Sequence, residues 1–349
     1  MSWLAVAALD DALDATKELL LPVDARQWLT LAVVVFFLGT GGGGGGSASA
    51  GSSTSASSGG SGDLPVPPGV EPDLPFTFQE VLPVLAVAVA LALVVGLLYA
   101  LVGSTMEFVF VESLRRRRVG IRRYASQHFG RAVRLFAFRA LLGLVVAVPA
   151  LGLVLGAVSL ATAGQGVGDG LVLLLVPLLV VAGVLVALVD GFTVNFVVPV
   201  MVLRNVGVVE GWRQFRPALT DHLDEFGVYL LVRIGLSFLA GALASMAGAV
   251  VGVLLAVPLA ILGLVSVPLL GGPEAVLANP AALAVGVGAL LVYVALVTAA
   301  IAVAFVPVQT FLRYHSLFVL GDVEPDLDLI PELRRDVREG GSSGTSRFR

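Results

Sequence analysis

Six polar side chains stand within or at the edge of long apolar stretches: Glu107, Glu112, Arg139, Asp190, Asn195 and Arg233. Ionisable groups are costly to hold in an apolar medium, so each needs a partner or a purpose. Carboxylates and guanidinium groups so placed support two kinds of chemistry. They can line a polar pocket or an ion relay, or they can pair with one another and fix the register of adjacent helices. Glu107 lies eight residues before Arg115, about 12 Å along a helix from the basic segment. Arg139 and Arg233 enter their helices at comparable depth from the same side. Asp190 precedes Arg204 by fourteen residues, about 21 Å, with Asn195 just over one turn further along. The pairing reading joins Glu107 or Glu112 to Arg139 or Arg233, and Glu107 with Arg139 is the pair expected first.

A second group is basic and aromatic. Arg115, Arg116, Arg117 and Arg118, with Arg122 and Arg123, form a dense cationic segment, and Trp212, Arg213 and Arg216 repeat the theme on a short helix. Such groups contact anionic lipid headgroups on the cytoplasmic face, and Trp anchors at that level. Topogenic charge alone also accounts for the Arg run. No nucleic-acid partner is expected, and protein partners are not legible.

Other chemistries lack their residues. There are no cysteines, which excludes disulfides, thiolate catalysis and Cys-type zinc sites. His128, His222 and His315 lack metal-ligand spacing, so no metal is expected. Gly164, Gly166, Gly168 and Gly170 lack the Lys-Ser/Thr that completes a phosphate loop. No Ser/His/Asp set, catalytic carboxylate pair or metalloprotease motif occurs. The expectation is a protein without enzymatic activity and without cofactors.

The elements that must position these residues follow from composition. Of 349 residues, 57% are hydrophobic and only 13% charged, about half the charge of an ordinary soluble domain. Residues 81–106, 140–168, 234–273 and 275–312 carry no charged side chain. About 20 apolar residues cross a bilayer as a helix, so the fold class is all-α: a polytopic transmembrane helix bundle of about six spans, in the cell membrane. Residues 1–39 read as an amphipathic helix and a short first membrane segment. The stripe Leu9, Leu13, Thr16, Leu20 faces the membrane surface or a neighbouring helix. The apolar run 28–39 spans only about 18 Å. A cleaved signal peptide is the alternative for it, disfavoured by the long acidic start. Residues 40–76 form an external Gly/Ser/Pro-rich linker, expected to be disordered over 40–62. Residues 77–318 form the helical domain, opened by a capping box, Thr77 with Glu80. Residues 319–349 are an acidic, then basic, cytoplasmic tail.

Basic residues set the topology, because cytoplasmic loops carry the Lys/Arg excess. Lys17 and Arg26 precede the first span. The segment 115–134, read as an Arg-rich loop, and the polar elbow 204–225 lie between later spans, and Arg313, Arg334, Arg335 and Arg338 follow the last. The linker and the connections near 164–170 and 271–280 have none. Six spans with both termini cytoplasmic fit this alternation. They require 226–270 to be one kinked span or a span with a re-entrant stretch. An internal repeat supports three helical hairpins, 26–114, 135–204 and 226–313. Arg115 to Ile121 resembles Leu203 to Val208, and His128 precedes Arg139 by eleven residues as His222 precedes Arg233.

The acidic amphipathic start, the Trp-Leu-Thr-Leu to Phe-Phe-Leu-Gly run entering polyglycine, and the elbow Val208-Val209-Glu210-Gly211-Trp212-Arg213-Gln214-Phe215 resemble uncharacterised haloarchaeal membrane proteins. The elbow also resembles, distantly, that of the membrane domain attached to some glycerophosphodiester phosphodiesterases. The resemblance implies a six-helix membrane domain and no established activity; no phosphodiesterase barrel is attached. Two functions are therefore carried forward: a non-enzymatic scaffold or lipid-contacting helper, and a small-solute or ion transporter using Glu107, Asp190, Arg139 and Arg233. A transporter needs a water-accessible cavity lined by these residues, a scaffold needs them paired.

Overall fold

A computed structural model describes residues 3–41, 78–162 and 169–345, all helix or short connections with no strand among them. The helices are α1 (Leu4–Leu20), α2 (Ala25–Gly41), α3 (Phe78–Arg116), α4 (Ile121–Thr162), α5 (Asp169–Phe192), α6 (Val198–Arg204), α7 (Val208–Asp221), α8 (Leu223–Leu269), α9 (Pro273–Ala278), α10 (Pro280–Val323) and α11 (Pro331–Thr345). Five of them, α3, α4, α5 continued through α6, α8 and α10, are long and apolar enough to cross a membrane, and Ala25–Leu38 in α2 is a shorter apolar helix. The fold is a helical bundle of membrane-spanning type. Residues 42–62 of the expected linker, Thr77 of the capping box and 163–168 lie outside the described residues.

Successive long helices pack as pairs: α2 on α3, α4 on α5 and α8 on α10. The pairs are joined by α3 on α4 and by α2 on α10. The contacts run in the order α5, α4, α3, α2, α10, α8, and the row curls round so that its end helices α5 and α8 border one cavity. Burial is uneven along the row. The apolar stretches that give the helices their length hold almost no buried residue, their side chains being exposed or half-buried, as in surface facing lipid. The core gathers at one end, around Phe108, Phe110, Phe196, Phe215, Tyr314 and Phe318. Close approach marks the α2–α3 pair, where a Cβ on Gly103 would lie 3.1 Å from the Phe37 carbonyl oxygen and the Tyr99 hydroxyl donates to Phe36 O at 3.0 Å.

Three expectations change. First, the segment 115–134 is mostly helix. The turn occupies only 117–120, and α4 begins at Ile121 because Tyr124, His128, Ala132 and Leu135 recur at helical spacing and are buried together. Second, the third hairpin does not end in an elbow at Arg313. Helix α10 continues unbroken to Val323, and the residues from Thr310 to Gly321 are almost all buried. Third, α1 buries only part of the stripe Leu9, Leu13, Thr16, Leu20. Leu13 is exposed, and the buried face is Ala5, Ala8, Ala12, Ala15, Thr16, Leu19 and Leu20. Small side chains let α1 lie close on α10 and α8, so that His315 Nε2 reaches Ala5 O at 2.7 Å. The repeat, in contrast, has a backbone counterpart. Arg117 and Asn205, each following the last residue of a helix, both take left-handed conformations with φ of 52° and 60°. Helix α8 runs unbroken from Leu223 to Leu269 across Pro258.

Candidate functional site

The site is built around a local departure from α-helix. Residues Thr193–Val197 between α5 and α6 form a π-helical turn, in which the Val198 N–H bonds to Thr193 O. In an α-helix that N–H would have gone to Val194 O. The next donor along is Pro199, which has no N–H. The Val194 carbonyl is therefore left without a helical partner, and Arg313 supplies one: its Nη1 donates to Val194 O at 2.6 Å. The π register and Pro199 together leave a buried acceptor, and a guanidinium from far along the chain fills it. Such π turns recur at functional positions.

The other end of the Arg313 guanidinium pairs with Glu107 through Nη2. The two side chains are 6% and 2% exposed, and the guanidinium lies 5.8 Å over the Phe110 ring. Arg139 makes a two-pronged pair with Asp190: Nε to Oδ1 at 2.7 Å and Nη2 to Oδ2 at 2.9 Å. The expected pairing of Glu107 with Arg139 is therefore not the one formed. The depth argument failed because α4 starts at Ile121 rather than near 135. Counting from there, Arg139 is eighteen residues into its helix, about 27 Å, and so reaches the level of Asp190. Glu112 pairs within its own helix, with Arg116 and more distantly Arg115. Arg313, read as a cytoplasmic residue, was the member missed. Its position at the end of an apolar run gave no sign that α10 continues past it.

Asn195 and Arg233 are both buried. The Asn195 amide donates to Gly191 O at 2.7 Å, while its Oδ1 has no partner. Arg233 Nη1 donates to Leu312 O at 3.1 Å, and Arg233 takes part in none of the ion pairs among the described residues. Both border a cavity of about 280 Å³ between α5 and α8, together with Leu188, Gly191, Tyr229 and Ser237. Below it an aromatic cluster fills the core: Phe196 stacks on Phe215 at 5.3 Å, and Phe226 and Tyr229 meet Phe196 edge-on.

The expected headgroup contacts divide. Arg117 bonds Glu18 of α1 at 2.7 Å and Asp336 of α11 at 3.4 Å, while Arg115 and Arg116 flank Glu112. Arg213 pairs with Glu210. Trp212 is not aimed at a headgroup: its indole N–H donates to Thr193 Oγ1 at 3.0 Å, locking α7 onto the π turn. Gly211 makes that docking close, since a Cβ there would sit 2.8 Å from Val197 Cγ1. Arg118, Arg122, Arg123 and Arg216 are exposed and remain outside the ion pairs among the described residues. Arg131, counted in sequence only within the basic segment 115–134, caps α6 by donating to Met201 O at 3.0 Å.

The same end of the bundle is closed by the chain termini. Arg338 of α11 bridges Asp11 of α1 at 2.9 Å and Asp322 of α10 at 2.8 Å. The hydrogen bond to Asp322, with Asp11 adding to it, pushes the Arg338 pKa above its ordinary value. Arg334 pairs with Asp322 and Asp328, and Glu225 accepts from the Leu4 N–H at the start of α1. His128 and His315 are buried in separate ring stacks, on Phe108 and Tyr229. Among the described residues no group of three His, Asp or Glu side chains could hold a metal.

No curated protein and no solved structure matches the chain. A family model does, over residues 3–330. The chain belongs to a family of unknown function, DUF7544.

Proposed function

We propose that the protein is a non-enzymatic, multi-pass membrane scaffold or lipid-contacting helper, with both termini cytoplasmic in the cell membrane. One observation carries this reading. The two carboxylates expected to serve a transport path are held by arginines instead, Glu107 by Arg313 and Asp190 by Arg139, as the further candidate Glu112 is by Arg116. A buried pair of this kind neutralises its own charge and fixes helix register, and it leaves neither partner free to bind and release a solute. The contact of α1 with α11 through Asp11 and Arg338 supports an even number of crossings between the termini. The exposed Arg118, Arg122, Arg123 and Arg216 are the residues assigned to anionic headgroups on the cytoplasmic face. A halophilic archaeal source accords with the composition and with the resemblance of the N-terminal run.

A second reading, a small-solute or ion transporter, draws on the cavity that Asn195 and Arg233 border. Flux separates the two. The purified chain, reconstituted into phosphatidylglycerol and phosphatidylcholine vesicles loaded with a pH-sensitive dye, is expected to leave proton, sodium and potassium flux at the protein-free level under an imposed potential. Flux that Glu107→Gln or Asp190→Asn abolishes overturns the scaffold reading.

A further inference from the structure

Two arginines are buried among the described residues, Arg313 with a carboxylate and Arg233 without one; Arg139 and Arg334 are half-buried. Arg139, Arg313 and Arg334 each meet at least one carboxylate. Arg233 is only 8% exposed, makes its one hydrogen bond to a carbonyl oxygen, and forms no ion pair among the described residues. The guanidinium of Arg313, close enough for the two like charges to interact, is already held by Glu107. An isolated guanidinium in an apolar surrounding is costly unless an anion accompanies it.

The place where that anion would sit is already shaped. Arg233 borders the cavity at the ends of the helix row, between α5 and α8. Two further polar atoms there make no well-formed hydrogen bond: Asn195 Oδ1, and the Tyr229 hydroxyl, which lies beside Arg233 and Ser316, on side chains 4% and 2% exposed. The rest of the wall is apolar, with Leu188 and Ile234 beside Phe238. The cavity, at about 280 Å³, exceeds the about 150 Å³ void that accepts a benzene molecule. Along the same two helices exposed apolar side chains face outward, Leu185 and Val181 on α5 and Leu231 and Phe238 on α8.

We propose that this seam is a binding site for one phospholipid with an anionic headgroup, entering sideways from the bilayer. The phosphate faces the Arg233 guanidinium, which supplies the charge and N–H donors. The Tyr229 hydroxyl donates to a phosphate or ester oxygen. Asn195 Oδ1 accepts from a headgroup hydroxyl. The hydrocarbon chains of the lipid lie along the apolar faces of α5 and α8. Burial of the anion against one guanidinium distinguishes this site from the exposed elbow arginines, whose headgroup contacts are screened by salt. The proposal rests on the membrane-spanning reading. It is independent of the flux result: solute flux would overturn the scaffold reading and leave the binding measurement standing.

Native mass spectrometry of the delipidated full chain in detergent micelles tests it, with phosphatidylglycerol, phosphatidylcholine and inorganic phosphate as probes. One phosphatidylglycerol is expected to bind with at least tenfold higher affinity than phosphatidylcholine. Arg233→Gln and Ser237→Trp, which fills the cavity, are each expected to lower that affinity tenfold or more. Arg122→Gln with Arg123→Gln should change it less than twofold. Ser237→Trp decides the matter if Arg233→Gln fails to fold. Equal affinity for the two lipids, or binding untouched by a folded Ser237→Trp, overturns the site. Displacement of the lipid by millimolar inorganic phosphate overturns the lipid as its occupant.

Discussion

Arg313 and Glu107, separated by 206 positions in sequence, form an ion pair at the centre of the buried end of the bundle. The pair ties α10 to α3, and the same guanidinium reaches the π turn through Val194 O. Three helices are thereby held by one side chain. A comparable tie, Arg139 with Asp190, joins α4 to α5.

The Arg139–Asp190 pair is two-pronged, so geometry as well as charge matters. Asp190→Asn is expected to cost about 3 kcal/mol in unfolding free energy, at the low end for breaking a buried pair. Arg139→Lys keeps the charge but loses the planar fork, and should cost less. Unfolding titrations in mixed detergent micelles measure both. Equal stability of Asp190→Asn and the unmodified protein would remove the pair from the account.

The C-terminal helix is docked through a position that tolerates no side chain. A Cβ on Gly321 would lie 1.8 Å from Arg334 Nη2 and 2.7 Å from Asp328 Cγ. Arg334 cannot simply swing aside, because it is held by Asp322 and Asp328 and lies over the Phe318 ring. Gly321→Ala is therefore expected to release α11, with an overpacking cost of about 1–3 kcal/mol. Limited proteolysis checks this: cleavage near Pro331 should speed up at least several-fold. An unchanged rate would mean that the contact relaxes without undocking.

Topology is open to a direct reading because the chain has no cysteine, so each introduced one is a unique reporter. Arg118→Cys, Thr220→Cys and Arg335→Cys should react with a membrane-impermeant maleimide only after the membrane is opened. Gln165→Cys and Glu274→Cys should react in intact cells. Labelling of Arg335→Cys from outside would overturn the cytoplasmic assignment of the C-terminal end.

Much of the architecture was legible because lipid imposes simple rules. Charge-free runs of more than about 20 residues announce spanning helices, and the long helices duly cover 81–106, 140–162, 234–269 and 280–312. The pairing was less legible. Glu107, Asp190 and Arg139 stood out, since charged residues in apolar sequence are rare, but partner choice depends on relative helix depth. That depth turned on where α4 begins, and the many charged residues of 121–134 concealed an amphipathic helix. Arg313 was hidden for the opposite reason. It follows the last apolar run, and its burial comes from the distant α3 and the π turn, with α1 packed along the same helix. The π turn had a sequence cause, Pro199, but its consequence for Val194 O depends on a helix more than a hundred residues away.

The central claim is that the buried charges hold the bundle together in pairs, and the Glu107–Arg313 cycle tests it most directly. Glu107→Gln, Arg313→Gln and the double variant would be compared by unfolding free energy in detergent. Each single change strands one buried charge and is expected to cost about 3–5 kcal/mol, with Arg313→Gln the larger because it also abandons Val194 O. The double variant should cost clearly less than the sum of the two, since no charge is left stranded. A double variant whose loss equals that sum would show that the two residues are not coupled, and would contradict the account.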